Sequence, residues 1–243
     1  AILGEKNVTI LDQKDDPQYL EKITNFDVVY RSPGVPYTLP QIQSAIKKSV
    51  DITSATNLFF ERAPGTTIGI TGTKGKGTTS QFIYEILKRA GRDVHIGGNI
   101  GKTAIDLLPH LNENSISVIE LSSFQLQDIR FSPDIVGLLD IFPDHMDVHK
   151  SFKEYFKAKS NIAKYQKKTD YIFYAAGNRF AKRIARRSRA QKIAVNPDSI
   201  NMNLAMRGEH NRKNAAMAAA ITAHMGVNPE IIFTVLREYT GLP

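Results

Sequence analysis

A glycine-rich segment at residues 72–79, GTKGKGTT, constrains the fold more than any other feature of the sequence. The short apolar run 68–71 before it predicts a β-strand, and the residues after it predict an amphipathic helix. The apolar face of that helix consists of Phe82, Ile83, Ile86, Leu87 and Ala90. A strand, a glycine-rich turn and a helix in this order are typical of parallel α/β folds that bind phosphate.

The chain beyond this segment continues to alternate between apolar strands and amphipathic helices. The predicted strands cover residues 94–96, 116–121, 135–141, 171–174 and 192–195, and the predicted helices cover 151–164, 211–225 and 229–239. Strands that alternate with helices pair in parallel, because each helix carries the chain back across the sheet. The predicted fold class is therefore α/β, with a central, mostly parallel sheet that carries the glycine-rich loop.

Residues 1–62 predict a separate, partial domain. Strands are expected at residues 6–12 and 26–30, and a helix at 40–49 follows the turn Ser32-Pro33-Gly34. These elements suit a small Rossmann-like sheet, but the opening strand and glycine-rich turn of such a sheet are not in the sequence. We expect its first βα unit to be missing. The turn Ala63-Pro64-Gly65 is expected to begin the central domain, residues 63–243.

Composition narrows the classes of function. The 243 residues include no cysteine, which excludes disulfides, thiolate zinc sites and cysteine nucleophiles and favours magnesium among metals. No apolar run approaches the roughly 20 residues that span a bilayer, and no signal peptide is evident, so we expect a cytoplasmic protein without a membrane partner. The net charge of +8 is concentrated at Lys167-Lys168 and residues 182–189, without interleaved aromatic residues. This pattern favours a solvated helix face over nucleic-acid binding. Separately, we expect a monomer.

The glycine-rich segment has the composition of a nucleotide-binding loop. Its residues are Gly72, Thr73, Lys74, Gly75, Lys76, Gly77, Thr78 and Thr79. Glycines let backbone N–H groups approach phosphate, and the following helix adds positive potential at its N-terminus. Lys76 can reach the β and γ phosphates, and a hydroxyl of Thr78 or Thr79 can hold magnesium. A glycine turn capped by threonines is the alternative, but the strand before it and the helix after it favour a nucleotide site.

Two residues that can bind a metal follow predicted strands. Glu120 lies at the end of strand 116–121, and His145 follows strand 135–141. Ligands of open α/β sheets bind at the carboxyl ends of the strands. Either residue taken alone is more often a cap or a surface group, whereas a phosphate loop at the same edge favours a metal site.

Lys159 lies within the apolar stripe of the predicted helix 151–164. The stripe consists of Phe152, Tyr155, Phe156, Ile162 and Ala163. Lys159 either extends its ammonium group to solvent or is a desolvated lysine with lowered basicity, whose free amine can react with carbon dioxide. The resulting carbamate would supply two oxygen ligands to magnesium. The sequence leaves both possibilities open.

A polar segment, GEHNRKN at residues 208–214, opens an alanine-rich helix. Asn211 is a plausible N-cap, and the amide of Asn214 lies early enough in the helix to contact a nucleotide base.

Together these segments resemble the Mur ligase superfamily, which is related to the folylpolyglutamate synthetases. The loop at 72–78 is similar to the ATP loop of that superfamily, and residues 208–214 are similar to its adenine-side motif. Residues 98–101 (GNIG) and 120–126 (ELSSFQL) resemble the family that adds D-glutamate. Gly77 departs from that family, because a serine or threonine often follows the loop lysine, and we therefore assign the magnesium hydroxyl to Thr78.

The resemblance implies roles for particular residues. ATP would contact the loop 72–79, Asn211 and Asn214. The muramyl substrate would contact Asn99, Ser122, Ser123, Phe124 and Gln125, and UDP would contact Asp12, Gln13, Lys14, Ser32, Pro33 and Gly34. Two magnesium ions would be held by Thr78, Glu120, His145 and a carbamylated Lys159. Lys76, His145 and Lys159 would be catalytic.

The activity implied is ATP-dependent addition of D-glutamate to UDP-N-acetylmuramoyl-L-alanine through an acyl phosphate, a step of peptidoglycan synthesis. The resemblance covers nearly the whole chain, but such ligases have a further C-terminal domain, which would begin after residue 243. We therefore expect the chain to be inactive alone. A folylpolyglutamate synthetase and a non-catalytic nucleotide-binding module are the alternatives.

Overall fold

The structure is a computed structural model that describes residues 7–99, 101–144, 151–200, 204–206 and 208–241. It divides into two compact units, residues 1–54 and 55–243. The sequence placed the domain boundary later, after Arg62.

The first unit is built around one β-α-β segment. Strands β1 (Val28–Tyr30) and β2 (Asp51–Thr53) pair in parallel, and helix α1 (Pro40–Lys47) connects them. A 3-10 helix, Tyr19–Asn25, packs against α1. The core of this unit consists of Ile23, Ile42, Ala45, Val50 and Ile52.

The strand predicted at residues 6–12 is wrong over its described part, 7–12, which contains no strand. A β-branched run needs a neighbouring strand to satisfy its backbone groups. Ile10 is 86% exposed and Val8 is 53% exposed, so this run lacks the packing that favours a strand.

The second unit contains a six-stranded sheet in the order β4-β5-β3-β6-β7-β8, and every pairing is parallel. Its strands are β3 (Thr66–Thr71), β4 (Val94–Gly98), β5 (Ile116–Glu120), β6 (Ile135–Leu138), β7 (Tyr171–Ala175) and β8 (Gln191–Val195). The predicted α/β class with a parallel sheet is confirmed. The glycine-rich loop follows β3, so it emerges from the middle of the sheet.

Helices cover both faces of this sheet, and two separate cores result. Helices α3 (Lys76–Arg89), α6 (Glu209–His224) and α7 (Pro229–Glu238) pack on one face. The other core takes residues from α2 (Ala55–Arg62), α4 (Phe152–Ser160), α5 (Arg179–Arg187) and a 3-10 helix, Ala104–His110. Two short 3-10 segments, Asn161–Ala163 and Pro197–Ser199, complete the unit. Within the described residues, no helix is both long and apolar enough to cross a membrane.

Helix α2 was absent from the sequence prediction. It contributes buried Phe59 to the second core, and the buried amide of Asn57 donates to Asp128 O at 3.0 Å. Oδ1 of Asn57 accepts from the Arg130 backbone N–H at 2.8 Å. These bonds fix α2 to the second unit.

Candidate nucleotide-binding site

The glycine-rich loop links the end of β3 to the start of α3. Gly75 has φ = +83°, a left-handed conformation, and is the N-cap of α3. A Cβ at Gly75 would lie 2.2 Å from Oδ1 of Asn214. Only glycine fits this position. The contact also places the amide of Asn214, on α6, directly against the loop.

Thr73 holds the loop in place through its own polar groups. Its backbone N–H donates to Asp140 O at 2.8 Å, and its hydroxyl accepts from the Phe142 N–H at 2.9 Å. The same hydroxyl is 3.0 Å from the hydroxyl of Tyr155, whose pKa burial raises to about 12. The Thr73 side chain therefore stabilises the loop and connects it to α4.

Lys76 begins α3 and folds back over the loop. Its Nζ donates to Thr73 O at 3.1 Å and to Gly72 O at 3.4 Å. Thr78 is half-buried in the first turn of α3. Thr79 is fully buried, and its Oγ1 has no hydrogen-bond partner among the described residues. The loop thus carries a cation over its backbone carbonyls and a hydroxyl in the first turn of the helix, groups that phosphate and a metal ion can use.

Lys159 is 1% exposed, which excludes the solvent-directed alternative. Its Nζ donates to Gly72 O at 2.7 Å and to Thr71 Oγ1 at 3.3 Å, and lies 4.9 Å from the centre of the Tyr155 ring. Burial, and to a smaller extent the neighbouring charge of Lys76, lower its pKa from 10.5 to about 7. Much of the amine is therefore neutral near neutral pH.

Glu120 lies at the carboxyl end of β5 and is 5% exposed. The Asn99 amide donates to Glu120 Oε1 at 3.2 Å. The negative charges of Glu120 and Asp144 oppose the lowering of the Lys159 pKa. The structure therefore brings Lys76, Glu120 and Lys159 to one edge of the sheet. His145 lies outside the described residues. Within the described part of the chain, no three His, Cys, Asp or Glu residues form a cluster that could hold a metal.

The segment 122–125, predicted to bind substrate, forms a tight turn after β5. The Ser122 hydroxyl and N–H both donate to Gln125 Oε1 at 2.9 Å. Ser123 and Gln125 are buried and Phe124 is half-buried. Oε1 of Gln125 therefore stabilises the turn.

Helix α6 begins at Glu209 with Gly208 as its N-cap, so the alternative that Asn211 caps the helix is wrong. Gly208 has φ = +107°, which glycine adopts readily. Asn211 and Asn214 are both buried in the first turns. Lys213 Nζ lies 3.2 Å from both Asp140 Oδ2 and Glu209 Oε1, and the hydrogen bond with Glu209 raises its pKa.

Asp140 was not identified from the sequence. It follows β6, and its backbone and carboxylate connect the loop to α6 through Thr73 and Lys213. The signal available was its position just after a buried strand beside β3.

The predicted UDP contacts lie in two turns of the first unit. Asp12, Gln13 and Lys14 are exposed, and the Lys14 N–H donates to Asp12 Oδ1 at 2.8 Å. The second turn, which contains Ser32, Pro33 and Gly34, is organised by buried Arg31, which donates to Ser32 O at 3.1 Å and to Val35 O at 2.6 Å. A cleft of about 620 Å³ in this unit includes Arg31 and Ser32 in its lining.

The fold and the loop define an α/β protein with a P-loop-type glycine-rich loop. Residues 70–197, more than half of the chain, match the model of the Mur ligase middle domain. The chain belongs to the Mur ligase family.

Curated relatives extend the match to most of the chain. It is 32% identical over 251 residues to a UDP-N-acetylmuramoylalanine–D-glutamate ligase of Acetivibrio thermocellus, covering 92% of this chain and 53% of the relative. A ligase of the same name from Geobacillus sp. is 34% identical, covering 89% and 53%. The chain thus spans about half the length of these relatives.

Solved structures share the fold at low sequence identity. The UDP-N-acetylmuramate:L-alanyl-γ-D-glutamyl-meso-diaminopimelate ligase of Neisseria meningitides superposes with a TM-score of 0.65 at 15% identity, over 97% of this chain and 84% of that one. The MurF ligase of Thermotoga maritima, solved with ADP, gives 0.62 at 16% identity, over 91% and 67%.

Proposed function

We propose that the chain forms the nucleotide-binding part of a ligase that uses ATP to join D-glutamate to UDP-N-acetylmuramoyl-L-alanine. The observation that carries this proposal is the buried Lys159 amine, 2.7 Å from the carbonyl of Gly72 in the phosphate loop. Lys76 and Glu120 lie close enough for their charges to act on it. The curated relatives with this enzyme name support the choice of substrates.

The chemistry follows from the weakness of a carboxylate as an electrophile. Its oxygen attacks the γ phosphorus of ATP, and the bond from that phosphorus to the β–γ bridging oxygen breaks. ADP is released and an acyl phosphate is formed. The amine of D-glutamate then attacks the acyl carbon, releases phosphate and loses a proton. Bringing two anions to ~4 Å costs on the order of 4 kcal/mol per charge pair at an effective dielectric constant of about 20. Lys76 and the loop N–H groups offset this repulsion.

Lys159 is proposed to act as a carbamate. The nitrogen lone pair of its neutral amine forms a bond to the carbon of CO₂, and the nitrogen releases one proton. Because burial lowers the pKa of Lys159 to about 7, the reactive amine is well populated at neutral pH. The carbamate would lie beside the phosphate loop, since Nζ contacts Gly72 O.

Magnesium fits the groups at this edge. The buried carboxylate of Glu120 and the half-buried hydroxyl of Thr78 are oxygen ligands of the kind Mg²⁺ prefers. We propose that these groups, with His145 and carbamylated Lys159, hold two ions. Bound Mg²⁺ would neutralise phosphate charge.

The remaining assignments are also proposals. Asn211 and Asn214 would contact the adenine side of ATP, because Asn214 lies against Gly75. Asn99, Ser123 and Gln125 would contact the muramyl substrate. The turns around Asp12 and Ser32 would contact UDP. Two of the three substrates, ATP and UDP-N-acetylmuramoyl-L-alanine, are nucleotides, which favours a cytoplasmic location.

Two measurements test the proposal separately. Calorimetry with a non-hydrolysable ATP analogue and Mg²⁺ should show binding to the chain, and Lys76→Ala should remove it. The complete gene product should release phosphate only when UDP-N-acetylmuramoyl-L-alanine and D-glutamate are both present. Turnover with a folate and glutamate instead would contradict the substrate assignment, and binding without turnover would indicate a non-catalytic nucleotide module.

A further inference from the structure

A groove between helices α4 and α5 lies outside the nucleotide site and encloses about 740 Å³. Its floor is formed by Phe152, Phe156 and Phe180. The Phe152 and Phe180 ring centroids are 4.7 Å apart, and those of Phe156 and Phe180 are 5.8 Å apart. Phe152 and Phe180 are each only half-buried. The floor is therefore an apolar surface, partly open to solvent.

The packing of the two helices preforms the groove. Phe152 and Phe180, in the first turn of each helix, are in edge-to-face contact. Beyond the other end of each helix, the Ser188 hydroxyl donates to Gln166 Oε1 at 2.8 Å. The helices thus run side by side in the same direction, and contacts near both ends fix their spacing.

Both banks of the groove carry cations. Lys153, Lys157 and Lys164 line the α4 side, and Arg183 and Arg187 line the α5 side. All five are exposed. Among the residues that the structure describes, no acidic residue lines the groove and none of the five forms a salt bridge. The cations on each bank form a row in which neighbours are three to four residues apart, or a multiple of that. This spacing places each row along one helix face. From 153 to 164 the row extends about 16 Å at about 1.5 Å per residue, or roughly three helical turns.

We infer that this groove is a docking site for an acidic amphipathic helical segment of a partner protein. Such a segment would place apolar side chains on the phenylalanine floor and carboxylates against the two rows of cations, as in helix-in-groove recognition. The inference is independent of the proposed ligase activity, because α4 directs Lys159 away from the groove and towards the phosphate loop.

The burial of α5 disfavours a membrane as the ligand. Ala181, Ile184 and Ala185, the apolar face of this basic helix, are at most 1% exposed and belong to the second core. They cannot enter a bilayer while the fold is intact. The phenylalanine rings also pack against one another and are flanked by helices, instead of forming the open stacking surface that single-stranded nucleic acids use.

The test is selection from a displayed library of helical peptides on the complete gene product. We expect enriched peptides to carry acidic residues together with apolar residues at three- and four-residue spacing. A synthetic enriched peptide should bind at least about tenfold more weakly to Lys157→Glu/Arg183→Glu, measured by fluorescence anisotropy. The matched control is Lys182→Glu/Arg186→Glu, which reverses two exposed charges of α5 outside the groove and should leave affinity unchanged.

Three results would overturn the inference. One is a selection without enrichment, or with enrichment of neutral or basic peptides. Another is equal loss of affinity in the groove variant and the control variant, which would show general charge attraction. The third is tighter binding of a single-stranded oligonucleotide or of phosphatidylglycerol vesicles than of any selected peptide, with the same dependence on Lys157 and Arg183. Circular dichroism of each variant verifies that the fold is retained.

Discussion

The two edges of the parallel sheet carry polar residues of different character. At the amino ends of the strands, Asp93 and Asp134 accept hydrogen bonds: Asp134 from both the N–H and the hydroxyl of Thr67, and Asp93 from Ser115 and Asn112. The pKa of Asp93 is lowered, with the Ser115 hydrogen bond as the largest cause. These carboxylates are satisfied within the fold.

At the carboxyl ends of the strands, cations replace the hydrogen-bonded carboxylates. Lys159 is buried without a carboxylate in hydrogen-bonding contact among the described residues. Lys76 adds a second cation nearby. Burying such groups costs stability. On the proposed function, the amino-end residues serve the fold and the carboxyl-end residues serve a ligand.

The largest effect is expected at Lys76. Replacing it with alanine removes a cation of the phosphate loop itself, and ATP-dependent ligation by the complete gene product should fall by about 10³-fold, measured as phosphate release. Lys74→Ala is the control, because Lys74 is exposed in the same loop and should cost far less. Unchanged turnover in Lys76→Ala would refute the assignment of the phosphate loop.

Lys159→Ala should reduce ligation by about 10²-fold, because the carbamate oxygens are lost. Addition of acetate or formate should restore part of the activity, since a small carboxylate fits the space left by the side chain. Lys157→Ala, an exposed lysine on the same helix, should retain full activity. A fully active Lys159→Ala enzyme without any additive would disprove the carbamate.

Lys159 should also make stability depend on pH. Its pKa is about 7 in the fold and near 10.5 in the unfolded chain, so between these values the unfolded state binds more protons and stability rises with pH. Lys159→Met should therefore be stabilising by on the order of 2 kcal/mol near pH 7, and the gain should diminish as pH approaches 10. Urea denaturation at several pH values measures this. A gain that does not vary with pH would argue against a lowered pKa.

The smallest effect is expected at the amino ends. Asp134→Ala should lower the free energy of unfolding by about 1–2 kcal/mol, because two hydrogen bonds to Thr67 are lost. Ligation at a temperature well below unfolding should be unchanged. Asp198→Ala, at an exposed turn, provides the reference for loss of a surface carboxylate. Lost activity in folded Asp134→Ala would erase the distinction between the two edges.

Periodicity predicted most of the second unit because its strands and helices each bury one continuous apolar set. The position of Lys159 within such a set left both a solvent-directed and a buried amine open, and the structure shows that the side chain is buried. The acceptor of its hydrogen bond, Gly72 O, was not predictable, because it lies 87 positions away in the chain. The strand at 6–12 failed for a similar reason, since strand formation depends on a neighbour that local sequence does not specify.

The site was predicted less completely than the fold. Motif spacing identified Lys76, Glu120 and Lys159, which the structure places together. It did not show that the Thr73 hydroxyl bonds to the distant Phe142, or that Gln125 Oε1 is engaged inside its own turn. Nor did it show that Asp140 connects the loop to α6. These contacts depend on how loops fold after the strands have been placed. The predicted roles of His145 and of the UDP turns stay predictions.

The central position of β3 has a consequence for how the protein is made. Both neighbours of β3 in the sheet, β5 and β6, come later in the chain, and β6 ends only at Leu138. Parallel pairing requires long crossovers, so no local hairpin can start the sheet, and folding is expected to be slow. During synthesis the loop after β3 emerges from the ribosome early, yet it gains its supporting strands only after β6 has followed. A nascent chain should therefore acquire affinity for nucleotide late.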